Sequence, residues 1–320
     1  MADRAGRRLR LTVLGGYLGA GKTTWLRHLL HHSGARLHVI VNEAAGLPVD
    51  DGLLGRAAGV TVLAGGCACC EGRAALIAAL RGLCDAWVAP DAARPDALIL
   101  ETSGLADPGA IVAAIRADPV LAHHLLLHEI VVMVDARHAP AQLRAEPLGR
   151  AQVAAADRLI LSRVAGLDPL ALAQVLADLR SLNPAVTPEA AEHGVPLPLP
   201  EPAAGVAVAP LPPLADEAGP VSAMQVTVDG ADWAAFSLWL SALLHAWGDD
   251  LVRIKGVVPT PAGRLLIQTV RREVQPPEVL PPDQPGEAIA SDRYEGQIVV
   301  LGRGCVAGDL QRSLDRFTRI

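Results

Sequence analysis

Short apolar runs alternate with longer amphipathic stretches through the first half of the chain. The runs have the length of β-strands and predict strands over residues 11–14, 37–41, 60–63, 97–100, 130–134 and 158–161. The stretches between them carry apolar residues at helical spacing and predict helices over residues 22–31, 73–87, 108–116 and 169–182. Strands that alternate with helices of this length form βαβ units, so the pattern predicts an α/β fold with a mainly parallel sheet.

The periodic pattern stops after residue 182. Residues 183–220 are rich in proline, which fixes φ and removes a backbone donor, so we expect an extended connector with one edge strand near Val206. The predicted divisions are a disordered leader over 1–8, a main domain over 9–182, the connector over 183–220 and a second domain over 221–320.

The last hundred residues predict a smaller α/β domain. Asp232 is suited to cap a helix in which apolar residues recur at helical spacing from Trp233 onward. The strands predicted here cover residues 223–228, 251–257, 264–270 and 297–301, and a last helix follows them.

Composition and charge exclude several classes of protein. With 51% apolar and 19% charged residues the chain is typical of a globular protein. A net charge of −6 argues against a broad nucleic-acid-binding surface. No apolar run approaches the roughly 18 residues that a membrane span needs, so we expect neither a nucleic-acid nor a membrane partner. The basic N-terminus lacks the pattern of a signal peptide.

A phosphate-binding motif follows the first predicted strand and opens the first predicted helix. In the segment GGYLGAGKTT, Gly16, Gly21, Lys22 and Thr23 satisfy the pattern GxxxxGK(S/T). The glycines let successive backbone N–H groups point at phosphate oxygens, and the helix N-terminus adds a favourable field. We expect Lys22 to reach the β- and γ-phosphates and Thr23 to bind Mg²⁺. The motif predicts nucleotide binding.

A second segment is typical of proteins that carry such a loop. The fourth predicted strand runs into ETSGLADP, with Glu101 at its end and Gly104 three residues later. An acid at this place beside a phosphate-binding loop is suited to hold Mg²⁺, and the glycine N–H can reach a γ-phosphate. Asp107, which precedes a proline, is expected to cap the next helix.

Three cysteines lie within four positions after the third predicted strand. Cys67, Cys69 and Cys70 belong to the segment AGGCACCEG, whose glycines permit a tight loop. Thiolates are ligands for Zn²⁺, Cu(I) or Co²⁺, and so close a spacing rarely suits disulfides. The loop therefore predicts an open, exchangeable metal site in a cytoplasmic protein. A cluster of small buried residues is the alternative.

These motifs occur in the order and spacing of the CobW-like family of P-loop GTPases, which are relatives of UreG and HypB. The segments VNEAAGLPVDD, VVMVDA and RIKGVV also resemble that family, the first as its switch segment and the last as its small C-terminal domain. The resemblance implies a P-loop NTPase domain followed by a CobW C-terminal-like domain. It also implies a metallochaperone that binds and hydrolyses GTP and carries Zn²⁺ or Co²⁺ at the Cys-x-Cys-Cys loop to a client metalloprotein.

The resemblance transfers roles to individual residues by position. Lys22, Thr23, Glu101 and Gly104 would serve hydrolysis, with Thr23 and Glu101 at Mg²⁺. Glu43 would join the three cysteines at the transported metal. The residues expected to bind nucleotide are Gly16, Gly19, Ala20, Gly21, Lys22, Thr23, Thr24, Ser162 and Arg163.

The chain departs from the family pattern at two places that bear on these roles. The family carries an Asn-Lys-x-Asp motif for guanine after the sixth strand, whereas this chain has Ser162, Arg163, Val164 and Ala165. Ala165 cannot accept hydrogen bonds from guanine, and Asp168 would replace the aspartate only after a rearrangement. In the switch segment an acid is often found where Gly46 stands, so one oxygen ligand to the metal is missing.

These departures leave other functions open. One is a nucleotide-switched regulatory protein with little hydrolysis, and another is an enzyme that prefers ATP or does not select the base. The sequence identifies no client protein, and it leaves a homodimer open.

Overall fold

The computed structural model describes residues 8–43, 57–64, 72–88, 93–205, 207–214, 221–228, 233–261, 263–270, 273–274, 277–280, 296–304 and 306–318. The chain forms two compact units. The first comprises Met1–Asp178 and Thr187–Pro210, and the second comprises Leu179–Val186 and Leu211–Ile320. The predicted leader lies outside the described residues except for Arg8.

A mainly parallel sheet forms the centre of the first unit. Its strand order is β3-β2-β4-β1-β5-β6-β7-β8, in which β8 alone of these strands runs antiparallel to its neighbour. The strands are β1 (Leu9–Gly16), β2 (Leu37–Glu43), β3 (Gly59–Ala64), β4 (Ala97–Glu101), β5 (Leu125–Asp135), β6 (Arg158–Ser162), β7 (Glu189–Glu192) and β8 (Val195–Leu197).

Helices connect the parallel strands, as the βαβ pattern predicts. Among the described residues, no helix is both long and apolar enough to cross a membrane. The helices before residue 183 are α1 (Lys22–His32), α2 (Gly72–Val88), α3 (Pro108–Ala117), α4 (Pro119–His124), α5 (Ala139–Ala145), α6 (Pro147–Ala155) and α7 (Pro169–Leu182).

Apolar side chains of the strands form a core on the face of the sheet that α1 covers. Leu26 of α1 and Val39 of β2 are fully buried, and both pack with Leu14 of β1 and Val131 of β5. Each such side chain contributes about 1.5–3 kcal/mol when it is fully buried. This packing holds α1, and with it the phosphate-binding motif at its start, against the sheet.

The prediction of a connector over 183–220 is wrong for residues 189–197. These residues form β7, which pairs in parallel with β6, and β8, which pairs with β7. Pro196 is compatible with β8 because β8 is the last strand of the sheet order, where a missing backbone donor costs little. The edge strand predicted near Val206 falls on a residue outside those described, and its neighbours have no strand assignment.

The second unit is an antiparallel sheet with helices. Its strand order is β12-β11-β10-β14-β9, and β13 also pairs with β11. Apolar residues of α8, such as Phe236 and Trp239, pack with Ile254 and Val300 of the sheet in one core. The elements are β9 (Val221–Thr227), α8 (Trp233–Trp247), β10 (Leu251–Thr260), β11 (Gly263–Val270), β12 (Glu273–Val274), β13 (Glu278–Val279), β14 (Gln297–Arg303) and α9 (Ala307–Thr318), with a 3₁₀ turn over Gly248–Asp250.

The predicted fold class, a mainly parallel α/β domain followed by a smaller α/β unit, is confirmed. The helices α4, α5 and α6 were not predicted because each spans at most nine residues, too few for a helical period to stand out.

We expect Cys84 to be unreactive in the folded protein. This cysteine lies on the face of α2 that carries Leu76 and Leu80, and it is 3% exposed. Burial raises the pKa of its thiol to about 11, so little of the reactive thiolate forms at pH 8.5.

Peptide mapping after brief iodoacetamide treatment at pH 8.5 measures this protection. Cys84 should be alkylated in urea at least tenfold faster than in the native protein. Equal labelling in both conditions would contradict the burial of its thiol.

Candidate functional site

The loop between β1 and α1 has the backbone conformation that the phosphate-binding motif requires. Gly16, Gly19 and Gly21 all have positive φ, at 128°, 73° and 95°. A Cβ on Gly16 would lie 2.3 Å from the carbonyl oxygen of Met133. Glycine is therefore required at position 16 both by its φ and by the adjacent strand β5.

Lys22 is the first residue of α1 and is 7% exposed. Its Nζ donates hydrogen bonds to the carbonyl oxygens of Gly16 and Tyr17, at 2.8 and 3.0 Å. The ammonium thus lies inside the curve of the loop, where its charge is available to the anion that the loop would bind.

A short hydrogen bond joins Thr23 to Glu101. The Thr23 hydroxyl donates to Oε1 of Glu101 at 2.6 Å, and Glu101 is 1% exposed at the end of β4. The sequence predicted both residues for Mg²⁺, and the structure brings them together across a gap of 78 positions. A hydroxyl and a carboxylate are hard oxygen donors of the kind that Mg²⁺ prefers, so the pair fits that ion.

The segment after Glu101 lies against the phosphate-binding loop. The backbone N–H and the hydroxyl of Thr102 both donate to the carbonyl of Leu14, at 2.9 and 3.1 Å. A Cβ on Gly104 would lie 2.6 Å from the backbone N of Leu18. Gly104 is therefore next to the loop, as predicted for a residue that contacts a γ-phosphate.

Gln152 supports this segment and was not predicted. Its Nε2 donates to the carbonyl oxygens of Gly104 and Ala106, at 3.2 and 2.9 Å, and the residue is buried in α6. A glutamine among apolar residues of a short helix was its only signal in the sequence. Asp107 caps α3 as predicted, by accepting a hydrogen bond from the Gly109 N–H at 2.8 Å.

The end of β6 and the residue after it are tied to the phosphate-binding loop through side chains. Ser162 Oγ donates to the Ala20 carbonyl at 2.8 Å. Arg163 has a positive φ of 57°, its Nη2 donates to the Gly19 carbonyl at 3.0 Å, and its Nη1 pairs with Asp135. The predicted nucleotide residues Ser162 and Arg163 are thus adjacent to the loop. Thr24 lies exposed in the first turn of α1.

Asp135 ends β5 and is a residue that sequence reasoning missed. Besides pairing with Arg163, its carboxylate accepts hydrogen bonds from the Arg137 N–H at 3.0 Å and from His138 Nδ1 at 2.8 Å. The side chain is 9% exposed, so these partners compensate its burial. Its only signal was an acid at the end of a predicted strand.

Asp168 does not serve the segment after β6 in the way the missing aspartate would. Its carboxylate accepts from the N–H groups of Leu170 and Ala171 and so caps α7. The carboxylate that does contact the segment belongs to Glu192, at the end of β7, whose Oε2 accepts from the Ala165 N–H at 3.1 Å. Glu192 was not predicted, because it lies in the range assigned to the connector.

The predicted metal loop cannot be placed. Cys67, Cys69 and Cys70 lie outside the described residues, and so does the side chain of Glu43, whose backbone ends β2. Within the part of the chain that the structure describes, no group of three or more His, Cys, Asp or Glu side chains could hold a metal ion.

Comparison with known proteins identifies relatives of both units. The family described as CobW/HypB/UreG, nucleotide-binding domain, matches residues 10–188, and the cobalamin synthesis protein cobW C-terminal domain matches residues 221–318. The zinc chaperone YjiA of Escherichia coli is 39% identical over 157 residues, which cover 48% of this chain and 49% of the relative. The zinc chaperone CobW of Pseudomonas aeruginosa is 32% identical over 230 residues, which cover 60% of this chain and 59% of the relative.

A solved structure has the same fold. The crystal structure of Zn(II)-bound YjiA GTPase from E. coli aligns with a TM-score of 0.58 at 24% sequence identity, over 97% of this chain and 99% of that one. The matches to the two zinc chaperones, by contrast, span only about half to three fifths of those proteins. The nucleotide-binding match covers more than half of the chain, and the cobW C-terminal match follows it; the chain belongs to the CobW/HypB/UreG family.

Proposed function

We propose that this protein is a GTP-dependent metallochaperone that carries Zn²⁺ to a client metalloprotein. The observation that carries the proposal is the hydrogen bond between Thr23 and Glu101, 2.6 Å long, beside a glycine loop that encloses the Lys22 ammonium. This hydrogen bond joins the phosphate-binding segment to a carboxylate, and a nucleoside triphosphate with its Mg²⁺ requires both. The relatives named as zinc chaperones support zinc as the cargo.

Each residue of the site has a role in this proposal. The N–H groups of the loop and the start of α1 bind the phosphates, and Lys22 compensates their charge. Thr23 and Glu101 hold Mg²⁺, which when bound neutralises charge that develops on the phosphate oxygens. Gly104 offers its N–H to the γ-phosphate, and Gln152 fixes the segment that carries it.

The topology supports a metal site near the nucleotide. The Cys-x-Cys-Cys segment connects the end of β3, at Ala64, to the start of α2, at Gly72. In the sheet order β3-β2-β4-β1, these parallel strands present their carboxyl ends at one edge. The chain therefore leaves β3 at the same edge at which Glu101 ends β4. We place the cargo Zn²⁺, or Co²⁺, on Cys67, Cys69, Cys70 and Glu43.

Replacing Lys22 tests the nucleotide site. We expect Lys22→Ala to weaken binding of Mg–GTP at least about 100-fold, because the phosphates lose their buried positive partner. Arg180→Ala removes a positive charge from an exposed position of α7 and should bind as the wild type does.

Titration calorimetry gives both affinities, and phosphate release gives the hydrolysis rate. Binding that is unchanged in Lys22→Ala would contradict the phosphate site. A wild type that binds GTP but hydrolyses it no faster than Lys22→Ala would support the regulatory alternative over an enzyme.

Replacing Thr23 tests the cation. With the wild type, addition of Mg²⁺ should tighten GTP binding, and in Thr23→Ala this gain should fall about tenfold because one oxygen ligand is lost. Thr23→Ser keeps the hydroxyl and should keep most of the gain. Calorimetry with and without Mg²⁺ measures it, and an equal gain in the Ala and Ser variants would argue against a role for Thr23 at the ion.

Zinc binding is tested by changing the three loop cysteines to serine together. We expect the triple variant to lose at least about 100-fold in Zn²⁺ affinity, because serine hydroxyls replace thiolate ligands. Cys84→Ser is the matched control, since this buried thiol lies in α2 outside the loop.

Competition with a chromogenic zinc chelator measures the affinities, in the presence of GTP and of GDP. A difference in Zn²⁺ affinity between the protein with GTP and the protein with GDP would support coupling of metal transfer to the nucleotide. Equal Zn²⁺ affinity in the wild type and the triple variant would rule out the proposed site.

A further inference from the structure

Ala165 stands where the CobW-like family carries the aspartate of its guanine motif, and its side chain cannot recognise a base. Guanine presents two adjacent donors on one edge, N1–H and the N2 amino group, which together match the two oxygens of a carboxylate. Adenine presents an acceptor at N1 and so does not match one. Ala165 is exposed and carries only a methyl group. A chain that selects guanine must therefore obtain hydrogen-bond acceptors from elsewhere, and a carboxylate supplies two side by side.

Glu192 places a carboxylate beside Ala165. Its Oε2 accepts a hydrogen bond from the Ala165 N–H at 3.1 Å. A carboxylate has lone pairs for about four hydrogen bonds, so this contact positions the group and leaves it able to accept others. Its other oxygen, Oε1, lies 4.0 Å from His193 Nε2, and the side chain is 26% exposed, which leaves it accessible to a ligand.

The backbone around Glu192 holds it at the nucleotide edge. β7 pairs in parallel with β6, so Glu192 and Ser162, the last residues of these two strands, lie at the same edge of the sheet. The next two residues, His193 and Gly194, have φ of 50° and 86°, which is typical of a tight type I′ hairpin turn. A Cβ on Gly194 would lie 2.6 Å from the Thr24 carbonyl, so the turn packs on α1 directly after the phosphate-binding loop.

Two other carboxylates among the described residues, Asp168 and Asp135, are engaged in other contacts. Asp168 caps α7, and Asp135 pairs with Arg163 and His138. Arg163 contacts both Asp135 and the Gly19 carbonyl. These contacts fix the residues just before Ala165 against the phosphate-binding loop.

We propose that Glu192 is the specificity-determining residue for the base: its carboxylate accepts hydrogen bonds from N1–H and the N2 amino group of guanine, in place of the side chain that Ala165 lacks. The inference rests on the proposed nucleotide binding and deepens it, because it assigns GTP rather than ATP as the nucleotide.

Replacing Glu192 with glutamine tests this assignment, because the preference for GTP over XTP should then be largely lost. The amide oxygen can still accept from Ala165 N–H, so the local contact is kept. The amide NH₂ opposes the N2 amino group of guanine but matches the O2 carbonyl that xanthine has at the same place. Conversely, the wild-type carboxylate repels xanthine O2.

Equilibrium dialysis with the Mg²⁺ complexes of GTP, ATP and XTP measures the preference. We expect the wild type to bind GTP at least about 100-fold more tightly than ATP or XTP, a ratio within reach of sites that pair with each polar group of a ligand. Glu192→Gln should lose at least about tenfold in GTP affinity and gain about tenfold for XTP. Glu201→Gln, the same exchange at an exposed glutamate, should keep the wild-type preference.

The results separate this inference from the proposed function. A wild type that binds all three nucleotides within about threefold, or a Glu192→Gln variant that keeps the wild-type ratio of GTP to XTP affinity, overturns the role of Glu192 and leaves the phosphate site standing. Failure of the wild type to bind any of the three overturns both. Thermal unfolding of Glu192→Gln within a few degrees of the wild type confirms that the variant is folded.

Discussion

The hydrogen bond from Thr23 to Glu101 connects the two segments on which the rest of the candidate site depends. Thr23 lies in the first turn of α1, whose apolar face is fixed in the core, and Glu101 ends β4, which pairs with both β1 and β2. A carboxylate with 1% exposure needs such partners, since an ionised group without them is strongly destabilising in a protein interior. The hydrogen bond from Thr23 therefore stabilises the buried carboxylate at this edge of the sheet, and the proposed Mg²⁺ would compensate its charge.

Close backbone contacts keep the neighbouring segments in register. Gly16 faces the Met133 carbonyl, and Gly104 faces the backbone of Leu18, at distances that exclude any Cβ. Ser162 and Arg163 add hydrogen bonds to the Ala20 and Gly19 carbonyls. Because the ends of β4, β5 and β6 all contact the same loop, the phosphate-binding loop cannot shift without displacing them. This arrangement gives a bound nucleotide several routes by which its phosphates act on the surrounding segments.

Local sequence patterns allowed the prediction of the phosphate-binding loop and most of the strands, but they did not reveal contacts between residues far apart in the sequence. The motif from Gly16 to Thr23 carries its geometry in adjacent residues, and Glu101 was found because strand ends of a parallel sheet share an edge. Glu192 and Gln152 give no such local signal: each acts through a partner 27 to 48 positions away. The strand β7 has the sequence EAAE, which lacks the bulky apolar residues from which strands are recognised, and prolines nearby favoured a connector.

The order of the strands constrains how the proposed metal transfer could follow the state of the nucleotide. Val41 of β2 is the backbone neighbour of Glu101, and Glu43, two residues on, is the neighbour of Ala64 at the end of β3. The strand β2 therefore lies between Glu101, which is proposed to sense Mg²⁺ and phosphate, and Ala64, where the chain enters the cysteine loop. A change in the hydrogen bonding of Glu101 needs to displace only the end of β2 to reach both Glu43 and that loop. Coupling over so short a path requires no rearrangement of the core, which is consistent with a loop that binds and releases a metal while the sheet stays intact.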